Sequence, residues 1–274
     1  MHDLKRCGRA GVSSPMAMAV TLLLLAALPC LAQHPARLTM KGTDGQTQGI
    51  VRYLASSRSF EIKTANGITQ TVKASDVARV ELAQQPAGLQ KAVNDVNSGN
   101  YQAAIPVLKQ IAGSYVMLGP DVIASQALAL AYLRTNRTKD ALKICEDLQK
   151  VNPDALNSGS FAKVYWEALL AENRTATLRT SLRTAIETGS REVAAAAQVV
   201  RGDLEMQANN PREALLDGYL RTILLFQDVA FIQPEALFKA IKAHEALNEV
   251  QYAERWRKRL LANYGTSEFA GRLQ

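Results

Sequence analysis

Asn136-Arg137-Thr138-Lys139-Asp140-Ala141-Leu142 decides the reading of this sequence, because its shape returns four more times. It is foreshadowed by Gly99-Asn100-Tyr101-Gln102-Ala103-Ala104-Ile105. It comes back as Asn173-Arg174-Thr175-Ala176-Thr177-Leu178, Asn209-Asn210-Pro211-Arg212-Glu213-Ala214-Leu215 and Asn248-Glu249-Val250-Gln251-Tyr252-Ala253-Glu254. The anchors Ala104, Ala141, Leu178, Ala214 and Ala253 lie 36 to 39 residues apart. A near-constant step of that size marks stacked helix pairs, each too small to bury its apolar face alone. Gly or Asn opens each motif because the chain leaving a helix there needs a left-handed residue. A small residue at the anchor lets two helix backbones approach, and Pro211 sits where a helix start tolerates a missing N–H.

Working outward, Gln84-Gln85-Pro86-Ala87-Gly88 separates the repeats at 87–274 from a different pattern at 36–83. Asp44-Gly45 and Asn66-Gly67 are hairpin turns. Phe60 and Ile62 alternate with Glu61 and Lys63, giving one apolar and one polar face. Ile50–Leu54 reads as a more buried strand, Ile68–Val72 and Val77–Leu82 as two further strands, and Ser75-Asp76 as a short turn. Five short strands in this length predict a small SH3-like β-barrel or curled sheet. Tyr53 and Phe60 are expected in its core. So small a domain is marginal alone, and should dock on the first helices or self-associate.

At the other end of the argument is the N-terminus. Lys5, Arg6 and Arg9 precede Met16–Leu28, an uncharged apolar run. That run is shorter than the roughly 20 residues of a bilayer-spanning helix, and matches the apolar region of a secretory signal. Pro29 breaks it, and Cys30-Leu31-Ala32 predicts cleavage after Ala32, making 1–32 a signal peptide. Lipidation at Cys30 is the less favoured variant. Loss of Lys5, Arg6, Arg9 and Asp3 would take the net charge from +7 to +5. That is mildly basic, suited to loose contact with anionic envelope material and too weak to argue for nucleic acid. Cys145 alone would remain, and it reads as a small buried hydrophobe. His34, beside the cleavage point, is expected to be disordered.

The second repeat resembles the tetratricopeptide repeat (TPR) family. Leu128, Ala129 and Tyr132 match the large, small and aromatic positions of its first helix, Ala141, Cys145 and Leu148 those of the second, and Pro153 the repeat end. The first unit keeps Gly99, Tyr101 and Ala104. The fourth keeps Gly202 and Ala214, with Tyr219 one residue late, which suggests a longer helix. The third departs most, with Trp166 at a small position and Leu178 at the anchor. The tail from Ala253 through Trp256, Tyr264 and Ala270 is similar to the closing repeats of exported bacterial envelope-assembly TPR proteins, with Gly265 where those carry Pro. Lys41–Ile50 and Ala74–Val77 are similar to small barrels that precede repeats in some exported bacterial proteins. The resemblance implies a mainly α protein: an α-solenoid of about five TPR-like helix pairs with a capping helix begun by Phe269 and Leu273, preceded by the small SH3-like domain.

The same resemblance implies a groove lined by the first helix of each pair, with Gln126, Leu130, Lys163, Glu167, Asp203, Phe238, Lys242 and Glu245 facing it. Their mixed charges suit a polar protein or peptide partner. Arg255, Arg257, Lys258 and Arg259 form a basic cluster, read as a solvated face or as a contact with anionic lipid or wall polymer, weakened by salt. His244 takes the aromatic core position of the fifth unit. The sequence carries no cysteine pair, metal-protease helix, phosphate-cradling glycine loop or nucleophile elbow. The expectation is therefore a non-enzymatic interaction scaffold of the periplasm or cell envelope, without catalytic, metal or cofactor residues. A binding module for envelope polymer or membrane surface, acting through the β-domain and the basic tail, is the alternative.

Overall fold

The computed structural model describes residues 34–42 and 45–273. The signal-peptide reading, with Cys7 and Cys30, and Asp44 of the first hairpin lie outside the described residues.

Five strands form one antiparallel sheet in the order β4-β3-β2-β1-β5: β1 (His34–Met40), β2 (Gln46–Leu54), β3 (Ser59–Lys63), β4 (Thr69–Lys73) and β5 (Val77–Leu82). The second hairpin is closed as the sequence requires, with Gly67 at φ +77° and the Thr64 N–H donating to the Ile68 carbonyl at 2.9 Å. Val51 faces Ile62 across β2 and β3. Leu38, Val51, Phe60, Ile62 and Val77 are buried together, the inward half of the predicted alternation. Tyr53 packs against Phe60, ring centroids 5.4 Å apart. β4 starts one residue later than expected, and Ile68 is exposed because it belongs to the turn.

The sheet does not stand alone. Leu118, from the segment between two helices, is 3% exposed within the sheet core, with Tyr115 and Met117 packed beside it. His34 corrects the expectation of disorder. It opens β1 opposite Val51, stacks on Tyr115 with ring centroids 3.7 Å apart, and its Nε2 lies 2.9 Å from the Ser114 carbonyl oxygen. Docking on the first helices, one of the two alternatives, is therefore what the structure shows.

The repeats form α1 (Leu89–Asn97), α2 (Tyr101–Ser114), α3 (Pro120–Arg134), α4 (Thr138–Val151), α5 (Gly159–Ala171), α6 (Thr175–Thr188) and α7 (Arg191–Gln207). Then come α8 (Pro211–Ala214), continued through a π-helical turn (Leu215–Tyr219) into α9 (Leu220–Leu225), α10 (Gln233–Ala246), α11 (Val250–Tyr264) and the short α12 (Glu268–Gly271). These are five helix pairs and a closing turn, a TPR-like α-solenoid. At each of the five pair turns one residue is left-handed: Gly99 at φ +84°, and Asn136, Asn173, Asn209 and Asn248 between +55° and +61°. Ala104, Ala141, Leu178 and Ala214 are wholly buried, and Ala253 nearly so.

The third pair forms despite its irregular residues. Trp166 is buried and donates from Nε1 to Ser181 Oγ at 2.8 Å. In the fourth pair the late Tyr219 has a cause other than a merely longer helix. The π turn holds one extra residue, and this returns the Tyr219 ring to Gly202, where an added Cβ would lie 2.5 Å from Cε1.

Candidate functional site

The first helices of pairs three, four and five turn one face towards each other, and the site follows from what those faces carry. α5 supplies Lys163 and Glu167, one turn apart; α7 supplies Asp203; α10 supplies Glu235 and Lys239, again one turn apart. Lys163 Nζ lies 2.5 Å from Glu167 Oε1 and 3.0 Å from Glu235 Oε2. Lys239 Nζ lies 2.6 Å from both Asp203 Oδ2 and Glu235 Oε1. Tyr219, from the π turn, donates its hydroxyl to Asp203 Oδ1 at 2.9 Å. α5 thus reaches α10 past α7, and the stack is bent tightly enough for its inner face to bridge itself.

Burial sets the electrostatics. It would push the Glu235 carboxyl up, but Lys163 and Lys239 outweigh it and hold the group at about 2. Burial would lower both lysines, yet the carboxylates around them raise each above its ordinary value. Burial raises Asp203, against the pull of Lys239. Burial and the neighbouring Asp203 carboxylate raise the Tyr219 hydroxyl. Glu167, Asp203 and Glu235 bring oxygens within 4.8 Å of one another, a spacing a cation could use. Lys163 and Lys239 donate into that same space and already supply the positive charge. Both ammonium groups are held protonated, and their ion pairs tie α5, α7 and α10 together.

The remaining groove residues divide. Gln126 Oε1 accepts from Ser160 at 3.3 Å, and Leu130 is half-buried. Lys242 Nζ lies 2.8 Å from Glu245 Oε2, whose other oxygen takes Arg257 at 2.8 Å. Phe238 is covered: Phe269 of α12 packs on it with ring centroids 5.8 Å apart, and the Arg272 guanidinium lies over both rings. The sequence placed Lys163, Glu167 and Asp203 on the inner face. It missed Glu235, Lys239 and Tyr219, for which the one-turn spacing of Glu235 and Lys239 on a first helix was the available signal.

Of the basic cluster, Arg255, Lys258 and Arg259 are spaced three and four residues apart on α11 and share one face, while Arg257 turns to another. Arg257 is tied to Glu245 and Glu254. Arg255 and Arg259 lie over the Trp256 ring, while Lys258 is exposed. His244 is a packed core residue, as expected. Its Nδ1 lies 2.7 Å from Glu249 Oε2, and Trp256 Nε1 donates to its Nε2 at 3.2 Å. Cys145 is buried, and burial followed by the nearby Glu146 pushes its thiol up to about 12.

Neither a protein-family model nor any curated protein matches the chain. Solved structures similar to it include a putative kinesin light chain of Podospora anserina with nearly identical TPR-like repeats: 14% identity, TM-score 0.46, covering 64% of this chain and 92% of that one. MamA of AMB-1 is similar at 15% identity and TM-score 0.40, covering 64% of this chain and 96% of that one. MamA of MSR-1 is similar at 16% identity and TM-score 0.39, covering 62% and 94%.

Proposed function

We propose that this protein is an exported, non-enzymatic scaffold of the periplasm or cell envelope, whose repeat array holds a protein or peptide partner along its inner face. The observation that carries the reading is the convergence of α3, α5, α7 and α10 on a single face. Beside the locked cluster of Lys163, Glu167, Asp203, Glu235 and Lys239, our reading assigns contact with the partner to Gln126, Leu130, Lys242 and Glu245. The locked cluster gives rigidity and these four residues give contact. Export rests on the charged start, the apolar run Met16–Leu28 and the small residues before Gln33.

The test is capture from a native envelope extract with residues 33–274 as bait, beside a Gln126→Ala, Leu130→Ala, Lys242→Ala variant that leaves the buried cluster intact. A partner held by the parent and lost by the folded variant supports the inner-face reading. A partner held equally by both sinks it. Export is tested separately, by N-terminal sequencing of the mature protein, which should begin at Gln33.

A further inference from the structure

The chain occupies part of its own inner face, and the occupant describes a ligand. α12 packs against α10, with Phe269 on Phe238 and Ala270 1% exposed in the core of the last pairs. Arg272 lies 4.9 Å from the Phe238 ring centroid and 5.6 Å from that of Phe269, so the guanidinium and the two tilted rings meet in a triangle. Glu268 reaches back to α3, its Oε1 3.9 Å from Arg134 of the second pair. One short segment thus touches both ends of the bent face, offering an acidic residue to Arg134 and an aromatic ring to Phe238.

The hold is slight. α12 is a single helical turn, capped by Ser267 Oγ, which accepts from the Ala270 N–H at 3.2 Å. One turn has little stability of its own. Phe269 is only half-buried, and the Glu268–Arg134 pair is exposed on both sides, so it adds little. Elements held by so few contacts open locally at low cost. When α12 lifts, Phe238 and Arg134 face outward together, an apolar anchor and a cation set apart by the groove.

We propose that α12 is a displaceable occupant, and that the partner recognised on this face presents a short helical segment of the same kind: an acidic residue followed by an aromatic and a small one. This deepens the inner-face reading above and rests on it. Displacement makes binding competitive, so the partner's affinity is reduced by the fraction of chains in which α12 is seated.

The experiment uses the full chain and one probe, a fluorescein-labelled peptide of residues 264–274, followed by fluorescence anisotropy. A Phe269→Ala, Arg272→Ala variant should bind the probe at least tenfold more tightly than the parent. Adding Phe238→Ala should return binding to the parent level. A Glu268→Lys probe should bind weakly, and Arg134→Glu in the chain should restore it. Equal binding by parent and loosened variant, or binding indifferent to Phe238, overturns the proposal. Should the loosened variant not fold by circular dichroism, hydrogen exchange on the parent decides. Amides of 268–271 should exchange at least tenfold faster than those of α10 and α11, and equal protection overturns the idea. No envelope partner enters these assays, so a failed capture and a failed displacement remain separate results.

Discussion

Lys163 on α5 and Glu235 on α10 stand 3.0 Å apart, although the whole of α7 and its partner helix intervene in the chain. A stack of repeats is ordinarily held by neighbours alone; here an ion pair skips a unit. Breaking such a buried pair by removing one partner leaves an uncompensated charge, at a cost of about 3–5 kcal/mol. Lys239→Met should therefore lower the urea midpoint sharply. Replacing Lys239, Glu235 and Asp203 together by apolar residues of similar volume should cost much less.

Glu235 also carries a pH signature. Its folded carboxyl is held at about 2, below its ordinary 4.5. The stabilisation is thus fully present above pH 4.5 and is lost as pH falls from there towards 2. The stability difference between the parent and Glu235→Gln, measured by urea unfolding, should be constant near neutrality and narrow below about pH 4.5. Asp203, raised by burial and in part by the Glu235 charge itself, works in the opposite sense, and losing Glu235 relieves part of that rise.

Gly202 and Tyr219 define the fourth pair. Gly202→Ala should cost about 1–3 kcal/mol by overpacking, because the new methyl meets the tyrosine ring. Tyr219→Leu in the same chain should recover part of that loss. A melt showing no change for Gly202→Ala would mean that the two helices can separate freely.

The left-handed asparagines can be tested singly. Asn209→Ala should destabilise by about 1 kcal/mol, since a Cβ disfavours that conformation without the help of a local polar side chain. Asn209→Gly should be neutral or stabilising. Thermal unfolding of the pair checks both.

Cys145, buried and with its thiol pushed up to about 12, should not react with a thiol reagent at pH 8 in the native protein. It should react at once in denaturant. Reaction in the native state at the unfolded rate would place it at the surface.

Leu118 couples sheet and helices. Leu118→Asp should raise hydrogen exchange in β1 and β5 while leaving α5 to α7 protected. Uniform protection would show the sheet to be self-sufficient.

Much of the fold was legible because it is written locally. A left-handed Gly or Asn marks each pair turn and a small anchor residue four of the five, and Asn66-Gly67 with the alternation of Phe60 to Lys63 marks a hairpin and a half-buried strand. What escaped is non-local. His34 looked loose beside a cleavage point, yet Tyr115 and the Ser114 carbonyl, far along the chain, fix it. Lys163, Glu167 and Asp203 looked like groove charges awaiting a partner. They are answered by Glu235 and Lys239, whose proximity depends on how sharply the stack bends, and no spacing within one repeat encodes that. Tyr219 was seen to be late, but only the π turn showed where the extra residue went.

That turn bears on how the array could change length. Adding one residue to an α-helix rotates everything after it by about 100°, enough to swing the next unit off its neighbour. Between Leu215 and Tyr219 the surplus is taken up within a single widened turn, so α10 and α11 still stack as a fifth pair. A one-codon deletion at this place would return the turn to ordinary α-helix and be almost silent for the units downstream. The same deletion in α4 or α6, which are α-helical throughout, would turn every helix that follows.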